Sequence, residues 1–143
     1  MEAKTLAEKL IQIRPTYYAA YGYLAEISQE QGDLSGAAAY LDEAIRLNPN
    51  QAGLHGRLGI VLEQQNETDK AIHQFAEELR VNPMDLTTRM NLAIIFSKQG
   101  NAPKAMDYFS EVLEIDPDNE KAHYNLGISL ANQGKIEEAF PHF

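Results

Sequence analysis

The sequence repeats itself every 34 residues, and this period limits what the chain can fold into more than any single motif does. A shift of 34 brings Leu24, Leu58, Leu92 and Leu126 into one column, and Ala25, Gly59, Ala93 and Gly127 into the next. Ala37, Ala71, Ala105 and Ala139 form an alanine column, and Leu41, Phe75, Phe109 and Phe143 a bulky apolar one. Pro15, Pro49, Pro83 and Pro117 close successive blocks. A fixed period of this length marks stacked supersecondary units, each unable to bury its apolar face without a neighbour.

Inside a block the apolar spacing is helical. Ala105, Phe109, Val112 and Leu113 recur at intervals that place them on one helix face. Gly32, Gly100 and Gly134 separate two such runs, where a left-handed residue suits the end of the first helix. Asn66 takes that place in the second block, and asparagine is the next-best residue for that backbone. The prolines stop the second run. Each block therefore reads as helix, tight turn, helix and short link. The whole chain, 1–143, reads as one all-α solenoid of stacked antiparallel helix pairs. Residues 18–51, 52–85 and 86–119 are full blocks, 120–143 a partial one, and 1–17 the second helix of a preceding block. The block boundaries suggest a piece cut from a longer array. Its uncovered Leu6, Leu10, Ile11, Phe140 and Phe143 are then expected to make end-to-end contacts between chains, through residues 1–13 or the last two helices.

Composition narrows the function classes. The longest apolar run, Leu92 to Phe96, is far too short to span a membrane. Cysteine is absent, which excludes disulfides, thiolate metal sites and a cysteine nucleophile, and leaves the compartment open between cytosol and periplasm. The net charge of −9 is spread as +1 over residues 1–17, −4, −3 and −2 over the three full blocks, and −1 over the remainder. No segment forms a basic stripe, so nucleic acid and anionic membrane are poor partners.

No catalytic, cofactor or metal constellation emerges. His55 and His123 share a column two blocks apart, and neither they nor His73 and His142 show zinc-ligand spacing with a third ligand. The run "GLHGRLG", Gly53 to Gly59, has three glycines but no preceding strand, so it is not a phosphate loop. It is expected to lie within a helix over 52–64 that its glycines weaken. Two residues break their columns at the junction of the second and third blocks. Glu78 stands with Ala44 and Val112, and Arg89 with Tyr21, His55 and His123, which predicts an ion pair between them. Leu92 and Ala105 are expected to be buried within one hairpin.

The Leu-Gly or Leu-Ala, Ala, Phe and Pro columns at this period resemble the tetratricopeptide repeat over nearly the whole chain. The resemblance implies a right-handed superhelix whose first helices line a concave groove, and binding of a peptide or protein there. On that frame the groove columns hold Gly22, Gly56, Met90 and Tyr124; Tyr23, Arg57, Asn91 and Asn125; and Glu26, Ile60, Ile94 and Ile128. The outer columns include Lys98. The family's carboxylate clamp fits poorly. Its anchoring Lys and Asn places hold Gly22 and Glu26, or Gly56 and Ile60; Asn91 and Lys121 suit later places, but Asn125 stands where Arg is required. Asn91 and Asn125 match the asparagine ladder of O-linked N-acetylglucosamine transferase, whereas Tyr23 and Arg57 do not. Ile60, Ile94 and Ile128 form an apolar stripe beside Met90 and Tyr124, either an interaction surface or part of the packing between first helices. The expected function is a non-enzymatic protein-interaction module without cofactors. A substrate-recruiting region of a larger enzyme such as a glycosyltransferase, or a self-assembly scaffold, are the alternatives.

Overall fold

A computed structural model of the protein describes residues 2–143. In chain order the helices are α1 (Glu2–Ile13), α2 (Tyr18–Glu30), α3 (Leu34–Leu47), α4 (Leu54–Gln64), α5 (Thr68–Val81), α6 (Leu86–Lys98), α7 (Ala102–Ile115), α8 (Glu120–Asn132) and α9 (Ile136–Ala139). A 3₁₀ turn, Phe140–His142, follows; Pro141 lies in it, and proline lacks the backbone donor that would continue an α-helix. Consecutive helices pack on one another from α1 through α5 and again from α6 through α9, as the antiparallel pairs of an all-α solenoid architecture. The chain divides into two compact units, residues 1–83 and 84–143.

The tight turns share one geometry. Gly32, Asn66, Gly100 and Gly134 all have positive φ, between 62° and 78°. In each case the following amide bonds the carbonyl five residues back: Asp33 to Ser28, Glu67 to Leu62, Asn101 to Phe96 and Lys135 to Leu130. This closes the orphan carbonyls of the first helix and reverses the chain. Asp33, Asp85, Asn101 and Asn119 then accept an amide of the first turn of the helix that each precedes.

In the first unit the core is built from Leu24, Ala25, Ala37, Leu41, Leu58, Val61, Ala71 and Phe75. The small column lets helices approach: a Cβ added to Gly59 would lie 2.6 Å from the Phe75 ring. In the second unit Leu92, 1% exposed, and Ala105 are both buried, as the repeat pattern predicts, together with Ala93, Phe109 and Val112.

The glycine-rich run departs from expectation in its placement. Helix α4 begins at Leu54, and Gly53 lies just outside it at φ 91°, a backbone that a side chain would strain. Gly53 has no side chain with which to cap the helix. The cap comes instead from Glu78 on α5, whose carboxylate accepts the Gly53 amide at 2.7 Å and the Gly56 amide at 2.9 Å. Glu78 is only 1% exposed, and the positive end of the helix dipole meets its charge.

The expected Glu78–Arg89 ion pair is therefore replaced by partners inside each unit. Arg89 Nε donates to Glu111 Oε2 at 2.9 Å. Glu111 follows Arg89 by 22 residues, as Glu78 follows Gly56, so the hairpin register itself aligns these positions.

Candidate functional site

Residues of the expected binding face fall into both units, and each unit is described by itself. In the first, α2 and α4 lie side by side, tied by a Gln29–Gln64 hydrogen bond of 2.9 Å. Arg57 on α4 donates from Nη2 to the Gly22 carbonyl at 3.0 Å and sits 3.8 Å from a Glu26 oxygen. Its charge thus serves the α2–α4 contact. Tyr23 is 60% exposed and Ile60 is half-buried.

In the second unit, α6 carries Met90, Asn91 and Ile94, all half-buried, and Lys98, exposed. On α8, Tyr124 is 58% and Ile128 36% exposed. Tyr124 meets Phe143 edge to face with ring centres 6.3 Å apart. Asn125 spends one N–H on the Lys121 carbonyl at 2.7 Å, leaving its other N–H and its oxygen for a ligand. An open depression of about 680 Å³ lies beside these residues, lined by Lys121, Tyr124, Asn125, His142 and Phe143 among others.

The histidine column has a structural role. Tyr21 donates to the Pro15 carbonyl at 3.0 Å, and His55 and His123 reach the carbonyls of Pro49 and Pro117 from Nε2 at 3.2 and 2.9 Å. Each side chain thus ties its first helix back to the preceding link. With Nε2 of His123 donating, its Nδ1 accepts from His142 Nδ1 at 2.9 Å. His55 contacts Gln74 across the same 19-residue interval. That shared spacing is the signal from which the His123–His142 contact was readable. Among the described residues no three His, Cys, Asp or Glu side chains gather to hold a metal, and no helix is long and apolar enough to cross a membrane.

The helix hairpins, left-handed turns and alternating small and bulky columns define a helical-repeat protein. The particular family follows from the sequence models that match: the chain belongs to the tetratricopeptide-repeat family, with matches over residues 1–52 and 57–120, over 28–85 and over 108–140. No curated protein sequence matches the chain. Among solved structures, one described as MamA superposes with a TM-score of 0.89 at 18% identity, covering 98% of this chain and 82% of that one. YrrB, described as a TPR protein with an unusual peptide-binding site, gives 0.79 at 21% identity over 97% of this chain and 72% of that one. A further structure, "MamA MSR-1 C2", gives 0.78 at 23% identity over 99% and 82%. At these identities the likeness is one of fold.

Proposed function

We propose that the protein is a non-enzymatic interaction module that binds a peptide or protein segment along its first helices. One observation carries the reading: in each unit these helices leave large apolar or aromatic side chains partly uncovered at the candidate groove columns, of which Ile60, Ile94 and Ile128 share one. Tyr23 and Ile60 do so in the first unit, and Ile94, Tyr124 and Ile128 in the second. Large apolar side chains left uncovered in this way favour an interaction surface within each unit. Arg57 is tethered to Gly22 and Asn125 partly to Lys121, which favours a ligand held by apolar contacts with a few amide hydrogen bonds over one held by a salt bridge.

The test is to select a peptide ligand from a displayed library and titrate it into the full chain and into Ile94→Glu. A loss of affinity of tenfold or more, with an unchanged melting temperature, supports the reading. Unchanged affinity places binding elsewhere. If Ile94→Glu unfolds, Ile94 belongs to the core, and Tyr124→Ala, at an exposed position, decides the question by the same titration.

A further inference from the structure

The first unit has an open groove on the side of its second helices, between α3 and α5. Its volume is about 630 Å³. Leu62 of α4 lies at its floor, Ala38, Ala39 and Asp42 form one wall, and Lys70 and His73 belong to the other.

The repeat shows why this space is open. The column of Ala38 continues as Ile72, Met106 and Phe140, so only α3 carries a small side chain there. In the second unit Met106 is half-buried, and Gln133 from the helix turn donates to its sulfur at 3.1 Å. The equivalent Gln65 finds no such chain at Ala38 and donates instead to the Ser35 hydroxyl at 3.4 Å. Ala39 stands in the column of Asp107, so the same wall lacks a second side chain. What is missing from the groove is a long, flexible, largely apolar side chain.

One turn along the same helix face the wall gains a charge. Asp42 occupies a column filled elsewhere by Ala76 and Ser110. Among the described residues no side chain pairs with its carboxylate. Arg46, a further turn on, donates to Glu43 at 2.9 Å, and Lys70 across the groove is engaged by Glu67. Asp69 lies in the first turn of α5, where the helix dipole favours its charge. Asp42 is therefore the carboxylate left for a ligand. Burial raises its pKa above the ordinary 3.8, and no cation opposes the shift. A carboxylate partly stripped of water is best matched by a weakly hydrated cation that bonds it through two N–H groups, which guanidinium supplies and ammonium does not.

We propose that the α3–α5 groove docks an arginine side chain of a protein partner, its methylenes over Ala38, Ala39 and Leu62 and its guanidinium on the Asp42 carboxylate. The site belongs to the second helices and does not rest on the first-helix reading, since neither Ile94 nor Tyr124 takes part in it.

The probe is an N-acetylated, C-amidated pentapeptide with one arginine flanked by alanines, titrated into the full chain and followed by backbone amide NMR shifts. The control replaces arginine by citrulline, which has nearly the same shape and no charge. The arginine peptide should shift amides of residues 35–42 and 69–74 saturably. It should bind at least fivefold tighter than the citrulline peptide. Asp42→Asn should erase that preference. Ala38→Met, which restores the side chain found in the second unit, should weaken the arginine peptide at least fivefold. Equal binding of the two peptides, shifts centred outside the groove, or a preference that survives Asp42→Asn overturns the proposal. So does free arginine binding more tightly than the peptide, because the groove would then serve a small molecule. The two-peptide comparison uses the unaltered protein, so it decides the question even where a variant unfolds.

Discussion

Glu78 caps the helix that starts after Gly53, its Oε1 accepting the Gly53 amide at 2.7 Å from a different helix. The carboxylate occupies a column where Ala44 and Val112 fill the same space with apolar groups, so its presence is explained by polar bonds and not by packing. Glu78→Ala should fit sterically yet leave the Gly53 and Gly56 amides without their acceptor. A loss of about 1–3 kcal/mol is expected in urea unfolding. Glu78→Gln should fall between, because its amide keeps one acceptor but turns a donor toward one of the two N–H groups. An alanine variant as stable as the parent would show that water caps α4 equally well.

Leu92→Ala tests the packing frame in the second unit. Leu92 is fully enclosed, and its removal leaves a void between α6 and α7 beside Ala105 and Phe109. Chemical denaturation should show a loss of about 2–5 kcal/mol. A change below about 1 kcal/mol would mean that the hairpin collapses around the cavity, and that the leucine column matters less than its regularity suggests.

What the sequence made legible was whatever recurs. Asn66 at φ 62° could be placed because Gly32, Gly100 and Gly134 mark its column, and Leu92 because three other leucines do. The departures were visible as departures but not in their partners. Glu78 serves backbone amides 25 and 22 residues earlier, and an amide has no sequence signature. Arg89 finds Glu111 because the hairpin sets their register, which a column alignment does not display. The candidate columns were nameable, but their exposure was not. Tyr124 and Ile128 stand out while Asn91 and Ile94 are half-covered, and side-chain packing decides that difference.

Tyr108 gives a pH-dependent test. Burial raises its pKa above the ordinary 10.0, Glu111 raises it further, and Arg89 partly opposes. Its ring stacks on Phe96 with centres 5.8 Å apart. A phenol whose folded pKa is raised contributes stability that is complete below the unfolded value and is lost as pH rises through the folded one. Stability should therefore fall above about pH 10. Tyr108→Phe, which keeps the stack, should fall less steeply there and match the parent at neutral pH. Identical alkaline slopes of the urea midpoint would remove Tyr108 from the account.

Gly59 and Phe75 allow a packing test with a built-in rescue. A Cβ on residue 59 would lie 2.6 Å from one ring carbon of Phe75 and 2.7 Å from another, so Gly59→Ala must displace the ring. Alanine improves the helix by roughly 1 kcal/mol, while overpacking costs about 1–3 kcal/mol. The second unit accommodates Ala93 with Phe109, both buried, so the hairpin geometry can adapt and the net loss should lie near the low end, about 1 kcal/mol. The first repeat supplies the compensating pair, since Ala25 is combined with Leu41 there and both are buried. Phe75→Leu alone should leave a void against Gly59 and destabilise the protein. Gly59→Ala/Phe75→Leu recreates the Ala25–Leu41 combination and should recover at least the cost of the first substitution. The signature is a favourable coupling energy of about 0.5–3 kcal/mol in the double-mutant cycle. Strict additivity would show that Gly59 is small for a reason other than the Phe75 ring.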